Sequence, residues 1–464
     1  MPSVPEPLEL PTSGIVLQPT LPGRPPRSTD ARCTLSRVPL SMRVMASLVL
    51  LVLTAACAGR PAPTVTPAVG AVRPRTVSAR TPAAVVLPGL DVFLANLPRD
   101  LRGSRVGLIT NHSAIDRARV PAIDRLAAHP HLTLVALLAP EHGIRGDTAE
   151  GVAIGDEVDR TTGVPVYSLY MAEDRGPTAS MLKDVDLLVY DLQEVGGRTW
   201  TYVSTMALSM KAAARRGIPF VVLDRPNPIG GEIVEGALVA PGFTSFVGMY
   251  PIPARHGLTV GELAAYFNHA FGIGADLIVA RAAGWQRHAW MDETGLPWVN
   301  PSPNLRSLDA LSSYPGTVYF EGTNLTEGRG TDHPFAQIGA PWLDATGVAA
   351  RLQAMYLPGV RFEPIELDVA ANAAKFAGQR IHGIRIVVAN RQSYRPVRTA
   401  LILIDTIKRH HPHEFAWGPS IDRLTGSDRV RQAIDSGQLG ALLEDWDREA
   451  QAFDSSIAPY RLYR

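Results

Sequence analysis

Side chains that transfer protons or bind polar groups follow directly after four short apolar runs of the sequence. Carboxylates and imidazoles supply general acid–base chemistry, and amides and guanidinium groups bind oxygen-rich ligands. In chain order these residues are Asn111 and His112; Glu141, His142 and Arg145; Asp191, Glu194, Arg198 and Tyr202; and Asp224, Arg225 and Asn227. Each of these residues, taken alone, could equally well cap a helix or pack in the core rather than act on a ligand. Four such loops in succession favour a binding or catalytic site.

A second polar cluster lies in a glycine-rich stretch further along the chain. It consists of Asn304 and of the segment 321–331, in which Glu321, Asn324, Glu327 and Arg329 alternate with glycines. Glycine lets the backbone approach a ligand closely. Tryptophan faces suit the apolar faces of sugar rings, although core packing is expected for at least three of the five candidates. These are Trp200, Trp285, Trp290, Trp298 and Trp342.

The apolar runs predict the elements that position these side chains. Strands are expected at 105–110, 132–138, 164–169, 185–191, 219–224 and 276–280, separated by helices at 117–129, 178–183, 203–216 and 260–271. Nearly continuous β-branched strands that alternate with helices indicate a parallel sheet covered on both faces. We therefore predict an α/β fold, a Rossmann-like, mostly parallel sheet with helices on both faces. Ligands of such sheets bind beyond the carboxyl ends of the strands.

A smaller α+β domain is predicted after the Rossmann-like domain, which we place at 86–290. The domain at 291–464 begins in a loop-rich stretch and then shows strands and helices of its own. We expect strands at 361–367 and 383–389, helices at 343–355 and 397–410, and an acidic amphipathic segment at 440–452.

The first 85 residues have the character of an export signal and a linker. Residues 1–41 are predicted to be a disordered extension or a wrongly assigned start. Residues 42–57 contain about 12 apolar residues after arginines and end in Leu-Thr-Ala-Ala-Cys57, which is typical of a signal peptide with a lipobox. The Pro/Ala/Thr-rich stretch 58–85 is expected to stay extended. We therefore expect an exported protein of the periplasm or cell envelope, lipid-anchored at Cys57.

Composition excludes several classes of function. The 464 residues carry 45 basic and 44 acidic side chains, a net charge of +1, which provides no general attraction for nucleic acid. Two cysteines, Cys33 and Cys57, are too few for a zinc cluster or a disulfide framework. No dinucleotide-binding, phosphate-loop or nucleophile-elbow motif is present, so no cofactor is expected.

Several blocks of the sequence resemble the NamZ-type exo-β-N-acetylmuramidases. They occur in order from about residue 90 to the C-terminus, and they are 107–111, 140–146, 162–170, 191–196, 223–231, 301–304, 314–317 and 321–331. The resemblance implies a cleft between a Rossmann-like domain and a smaller C-terminal domain. It also implies release of N-acetylmuramic acid from the non-reducing ends of peptidoglycan fragments. One departure is Glu194, where members of the family often carry Asp.

Glycoside hydrolysis assigns chemical roles to the polar residues. The leaving oxygen needs a proton from a carboxylic acid, for which Glu141 is the first choice, with His142 beside it. A second catalytic group is Glu321, Glu327, Asp191 or Glu194, unless the substrate's own acetamide acts as nucleophile. The lactyl carboxylate of muramic acid calls for a guanidinium, with Arg145, Arg198 and Arg329 as candidates and Arg225 behind them. The remaining substrate-binding candidates are Asn111, Tyr202, Asp224, Asn227, His256, Asn304 and Asn324.

Two other functions fit parts of the same pattern. A metal-dependent carbohydrate deacetylase or hydrolase would use Asp191, Asp224, His112, His142 or His256, although no zinc-protease spacing is present. A non-catalytic lipoprotein that binds cell-wall sugar would also need convergent polar loops. Our leading hypothesis requires no metal ion. It expects a peptidoglycan-derived glycan as the partner of the protein.

Overall fold

An eight-stranded sheet forms the centre of the protein. The computed structural model describes residues 74–79, 85–140, 143–144, 157–169 and 175–464. The strands are β1 (Arg75–Val77), β2 (Arg105–Thr110), β3 (Thr133–Ala139), β4 (Glu157–Val158), β5 (Pro165–Ser168), β6 (Leu187–Asp191), β7 (Phe220–Leu223) and β8 (Leu277–Ala280). Their order is β1-β8-β7-β6-β2-β3-β5-β4, and every neighbouring pair is parallel except β4–β5.

The central strands are buried because helices cover both faces of the sheet. Every residue of β6, β7 and β8 is buried. Alternate side chains enter different cores: Leu108 and Val189 pack in one, and Ile109 and Tyr190 in the other. This arrangement confirms the predicted α/β class.

Four helices flank this sheet: α1 (Gly89–Ala95), α2 (Ala122–Ala127), α3 (Tyr202–Arg216) and α4 (Val260–Ala270). A capping box of Thr259 and Glu262 begins α4, and Gly217, at φ 64°, ends α3 in the left-handed conformation that glycine adopts readily. The helix predicted at 117–129 forms only from Ala122, because Pro121 is extended at its N-cap. The helix predicted at 178–183 is wrong, since that segment forms successive turns.

The C-terminal part carries a three-stranded antiparallel sheet and six helices among its described residues. They are α5 (Leu308–Thr317), β9 (Gln337–Ala340), α6 (Ala345–Gln353), β10 (Val360–Asp368), β11 (Arg380–Val388), α7 (Pro396–His410), α8 (Ile421–Thr425), α9 (Arg429–Asp435) and α10 (Leu439–Ser456). The strand order is β10-β11-β9. Helix α5 lies in the stretch predicted to be loop-rich. Gly316 allows it to pack against the backbone of Pro396 in α7.

The two sheets share one hydrophobic core, which extends from Ile109 in β2 to Tyr460 near the C-terminus. The chain end also returns to the large sheet. The Tyr463 hydroxyl donates a hydrogen bond to Asp224 at 2.6 Å, and the Leu462 amide donates one to Glu262 at 2.7 Å. Packing is continuous across position 290/291. The domain boundary predicted there stays a prediction.

The predicted extension and signal peptide, residues 1–57 with Cys57, lie outside the described residues. Within the predicted linker 58–85, the described residues Arg75–Val77 form β1, which pairs with β8. Throughout the described part of the chain, no helix is both long and apolar enough to cross a membrane.

Candidate active site

The order in which the chain adds strands to the sheet reverses between β2 and β6, which lie side by side and parallel. From β2 the strands proceed outward through β3 to β5, and from β6 they proceed outward on the other side through β7 to β8. Such a switch point leaves a crevice at the carboxyl ends of the two central strands. Asn111 follows β2 and Glu194 follows β6, so the sheet places both at this crevice.

A buried hydrogen-bond network joins the end of β2 to the loop at 301–304. Asn111 Nδ2 donates to the Tyr202 hydroxyl at 2.7 Å, and that hydroxyl donates to the Pro301 carbonyl at 3.3 Å. Asn111 Oδ1 accepts from the amide and the hydroxyl of Ser113. Asn111 and Tyr202 therefore position the loop at 301–304. The substrate-binding role expected of them stays a prediction.

Three other predicted site residues carry contacts that stabilise the sheet edge. Asp191 forms a buried bidentate ion pair with Arg225, at 2.6 and 2.9 Å. Asp224 accepts hydrogen bonds from Thr259, Gly261 and Tyr463, and burial raises the pKa of Asp224 to about 6. Asn227 donates to the Leu258 carbonyl and accepts from the Ile229 amide. These contacts favour a structural contribution from each.

Burial favours the protonated form of Glu194 more strongly than that of Asp224. Its Oε1 accepts from the Val195 and Gly196 amides, whereas its Oε2 has no hydrogen-bond partner among the described residues. Burial raises the pKa of Glu194 to about 8. His256 Nε2 lies 4.0 Å from Glu194 Oε1, and burial lowers the pKa of His256 to about 3. At neutral pH the pair is thus an uncharged acid beside an uncharged imidazole.

Glu194→Gln should make stability less dependent on pH. Between pH 5 and 8 the unfolded chain ionises Glu194, whose ordinary pKa is 4.5, while the folded chain keeps its proton until the pH approaches 8. The free energy of unfolding therefore falls as pH rises through this window, and glutamine removes on the order of 2–3 kcal/mol of that fall. The glutamine carbonyl still accepts from the Val195 and Gly196 amides. Urea unfolding at pH 5 and pH 8 measures the change.

The control for that experiment is Glu444→Gln, the same chemical change on an exposed position of α10. It should unfold with the pH dependence of the unchanged protein. If Glu194→Gln behaves in the same way as this control, Glu194 is not protonated in the folded chain.

A cavity of about 420 Å³ opens beside the loop that follows β6; we call it the aromatic cavity. Trp200, Tyr314 and Phe335 contribute its aromatic wall, with Tyr314 and Phe335 edge-on at 5.0 Å between ring centroids. The other described residues that line it are Arg175, Thr199, Thr201, Ser245, Phe246, Val247, Ser302, Leu305, Val318, Glu321, Arg329, Arg423 and Leu424. Aromatic faces with a few polar groups at this volume suit one small polar ligand such as a sugar.

The segment 321–331 contributes a cluster of charged side chains to the wall. Arg329 Nη1 donates to Glu321 Oε1 at 2.5 Å and to Glu327 Oε1 at 2.8 Å, and its guanidinium lies over the Phe335 ring. Lys375 Nζ donates to the carbonyls of three residues of this region, Phe320, Thr323 and Leu325, and lies 3.6 Å from Glu327 Oε2. The cluster fixes the segment and leaves Glu321, with 30% of its side chain exposed, at the cavity.

A second cavity of about 770 Å³ lies on the other side of the Glu321–Arg329 ion pair; we call it the amide cavity. Asn304 and Asn372 contribute amides, and Thr326 and Thr331 belong to the same wall. Glu321 and Arg329 line both cavities. The ion pair is thus the boundary between two adjoining spaces.

The structure brings some predicted site residues together and separates others. Glu321, Glu327, Arg329 and Asn304 meet at the two cavities. Arg198 is buried and donates to the carbonyls of Ala237, Ile252 and Leu424, and Asn324 is hydrogen-bonded to the backbone of Glu414 and Ala416. Both therefore stabilise loops. His112 bonds to the Asn300 carbonyl, and Glu141, His142 and Arg145 lie outside the described residues.

Sequence reasoning missed Arg423 and Arg175, which also line the aromatic cavity. Each comes from a segment without a recognisable motif, so only the fold reveals its place. Arg423 makes no ion pair or side-chain hydrogen bond with any described residue.

Among the described residues, no three His, Cys, Asp or Glu side chains are grouped as ligands for a metal ion. Of the ligands considered for a metal-dependent hydrolase, Asp191 and Asp224 are engaged as described above, and His112 and His256 lie in different contacts.

Comparison with known families decides the affiliation of the chain. One family model, described as exo-β-N-acetylmuramidase NamZ, N-terminal, matches residues 106–309. A second, described as exo-β-N-acetylmuramidase NamZ, C-terminal, matches residues 312–463. The chain belongs to the NamZ family. The resemblance seen in the sequence blocks is thereby confirmed.

Individual members of the NamZ family are similar in sequence and in fold. The peptidoglycan β-N-acetylmuramidase NamZ of Bacillus subtilis strain 168 is 42% identical over 381 residues, which are 82% of this chain and 91% of that protein. Two crystal structures of DUF1343 family proteins from Bacteroides fragilis each cover 82% of the chain. Their TM-scores are 0.76 and 0.64, their identities are 33% and 27%, and 100% and 99% of their own chains are covered.

Proposed function

We propose that this protein is an exo-acting glycoside hydrolase that releases N-acetylmuramic acid from the non-reducing end of peptidoglycan fragments. Membership of the NamZ family, with a B. subtilis β-N-acetylmuramidase 42% identical over most of the chain, carries the proposal. The aromatic cavity supports it, because its volume suits one sugar. Release of chromophore from an aryl β-N-acetylmuraminide, with the β-glucosaminide as control, tests it. No release from the muraminide would overturn the proposal.

Glu141 and Glu321 are the two carboxylates to which we assign the chemistry. Glu141 follows the last residue of β3 by two positions, and β3 ends beside β2 at the edge where Asn111 lies. We assign it the role of general acid. Glu321 lies on the boundary between two cavities, where the bond between two sugars would be located. Its ion pair with Arg329 favours the ionised form, which suits a nucleophile or a group that orients the substrate's acetamide.

Arg423→Gln should lower kcat/KM for the aryl muraminide by about 10-fold or more, the worth of one charge-assisted hydrogen bond. Arg329 in the same cavity is compensated by Glu321 and Glu327, whereas Arg423 forms no ion pair with a described residue. We therefore assign the lactyl carboxylate to Arg423. Any hydrolysis of the glucosaminide, which lacks that carboxylate, should not change.

The matched control is Arg351→Gln, an exposed arginine of α6 that does not line either cavity. It should leave both substrates unaffected. If Arg423→Gln loses the same fraction of kcat/KM on both substrates, Arg423 does not recognise the lactyl group.

We also propose that the protein is exported and anchored in the cell envelope through a lipid on Cys57. The apolar run before Leu53-Thr-Ala-Ala-Cys57 and the Pro/Ala/Thr-rich stretch after it support this location. Mass spectrometry of the mature N-terminus tests the proposal. A diacylated Cys57 as first residue is expected, and an unmodified peptide that begins at Met1 would contradict it.

A further inference from the structure

The turn that joins α6 to β10, residues 354–359, exposes two neighbouring apolar side chains; we call it the apolar turn. Met355 is 48% exposed and Tyr356 is 89% exposed, whereas the other large apolar side chains exposed in the described part of the chain are three valines at separate positions. We infer that the apolar turn and the arginines beside it dock on an anionic phospholipid surface. No residue of the turn lines either cavity, so the inference does not depend on the hydrolase activity.

The backbone of the apolar turn places Tyr356 in a conformation that favours glycine. Its φ is 50°, in the left-handed region, and its amide donates to the Gln353 carbonyl at 3.2 Å as α6 ends. Helices commonly end in a left-handed glycine, and a tyrosine at such a position costs free energy. A ring that is 89% exposed recovers little of that cost by packing. Its presence therefore indicates a contact with a partner outside the chain.

The base of the apolar turn is anchored to the rest of the C-terminal part. Leu357 packs against the main hydrophobic core, and the Gly359 carbonyl accepts from the amides of Ala389 and Asn390 at 2.8 and 3.1 Å. These contacts fix the backbone beneath the two exposed side chains before a partner binds, which reduces the entropy lost on binding.

Arginines without acidic partners flank the apolar turn. Residues 345–362 contain no carboxylate, and their two arginines, Arg351 and Arg361, are exposed and make no ion pair with any described residue. The adjoining segment 389–404 also lacks carboxylates and carries three more arginines, two of which are ion-paired. This region is therefore cationic, although the net charge of the whole chain is only +1.

Exposed apolar side chains beside unpaired arginines favour a bilayer over a soluble polyanion. Tyrosine is enriched at membrane–water interfaces because its ring is apolar while its hydroxyl stays hydrated. Guanidinium groups bind the phosphates of lipid head groups, and each arginine near an anionic surface contributes about fivefold to partitioning. A soluble polyanion would contact the arginines and leave Met355 and Tyr356 in water.

Hydroxyl-radical footprinting of the full-length chain on vesicles tests the inference at the turn itself. Trypsin cleaves after Arg351 and Arg361 and isolates both exposed apolar residues in the peptide 352–361, whose oxidation is measured by mass spectrometry. Vesicles of phosphatidylglycerol should lower this oxidation about fivefold or more, and vesicles of phosphatidylcholine should leave it as in solution. Because the readout is local, attachment of the chain to vesicles through residues 42–57 does not by itself protect the peptide.

Tyr356→Asn removes the aromatic ring and keeps the turn, because asparagine adopts the left-handed conformation more readily than tyrosine does. On phosphatidylglycerol vesicles this variant should oxidise Met355 at a rate close to that in solution. Without vesicles, its thermal unfolding should match that of the unchanged protein or lie higher.

The cationic contribution is measured by Arg351→Gln combined with Arg361→Gln, which should raise the phosphatidylglycerol concentration needed for half-protection about tenfold or more. The matched control is Arg215→Gln combined with Arg216→Gln, two exposed arginines at the end of α3, and it should leave that concentration unchanged. Equal effects of the two double variants would reveal a general attraction of charge and would overturn the inference.

Two further results would also overturn it. One is oxidation of the peptide 352–361 that is the same with and without phosphatidylglycerol vesicles. The other is equal protection of this peptide by soluble polyphosphate, because the partner would then be a polyanion and not a lipid surface.

Discussion

Glu141→Gln should lower kcat for an aryl β-N-acetylmuraminide by at least about 10²-fold, the usual contribution of a general acid. Glutamine is close in size to glutamate but has no proton to give the leaving oxygen. KM should change little, because the change removes a proton donor rather than a binding group. Initial rates of chromophore release with saturating substrate measure the effect.

The acidity of the leaving group provides the control for this assignment. A dinitrophenolate leaves without a proton, so Glu141→Gln should lose much less activity on the dinitrophenyl muraminide than on the methylumbelliferyl one. A loss of equal size on both substrates would contradict a general acid at Glu141 and would return the role to the remaining carboxylates, of which Glu194 has its pKa raised to about 8 by burial.

Glu321→Gln is expected to lower kcat by about 10²-fold or more on both of these substrates, because an ionised carboxylate stabilises the oxocarbenium-like transition state whatever the leaving group is. The fold should survive this change. Arg329 keeps its ion pair with Glu327, and Lys375 still holds the carbonyls around the segment. The same two-substrate assay therefore separates the roles of Glu141 and Glu321.

Glu363→Gln is the control for this change, since Glu363 is exposed on β10 and lines neither cavity. It should retain full activity. Thermal unfolding of Glu321→Gln should match that of the control within a few degrees. Activity that survives in Glu321→Gln at the level of this control would remove Glu321 from the chemistry.

The large sheet was predictable because its strands are buried on both faces. The run Arg105–Thr110 was predicted with the bounds that β2 has, and β6, β7 and β8 each fall within a predicted strand. A strand of this kind consists of consecutive apolar residues, so its sequence alone reveals it. The edge strands β1 and β4 are only three and two residues long and are largely exposed, and they leave no such signal.

Helix α5 shows where local sequence misleads. Pro315 and Gly316 disfavour a helix, yet the segment is buried against α7, and packing outweighs propensity. The same limit applies to the site. The convergence of polar loops was visible, but nothing in the sequence indicates that Arg198 and Asn324 bond to the backbone or that Arg423 lines a cavity. Those facts depend on contacts between segments far apart in the chain.

The contacts of residues 462–464 affect the order in which the protein is assembled during translation. Asp224 and Glu262 are buried, but their partners, the Tyr463 hydroxyl and the Leu462 amide, lie 239 and 200 residues further along the chain and are synthesised later. A nascent chain that lacks these residues must bury two carboxylates with fewer hydrogen bonds. We therefore expect the Rossmann-like half to reach its final stability only after residues 462 and 463 have been synthesised and have packed against it.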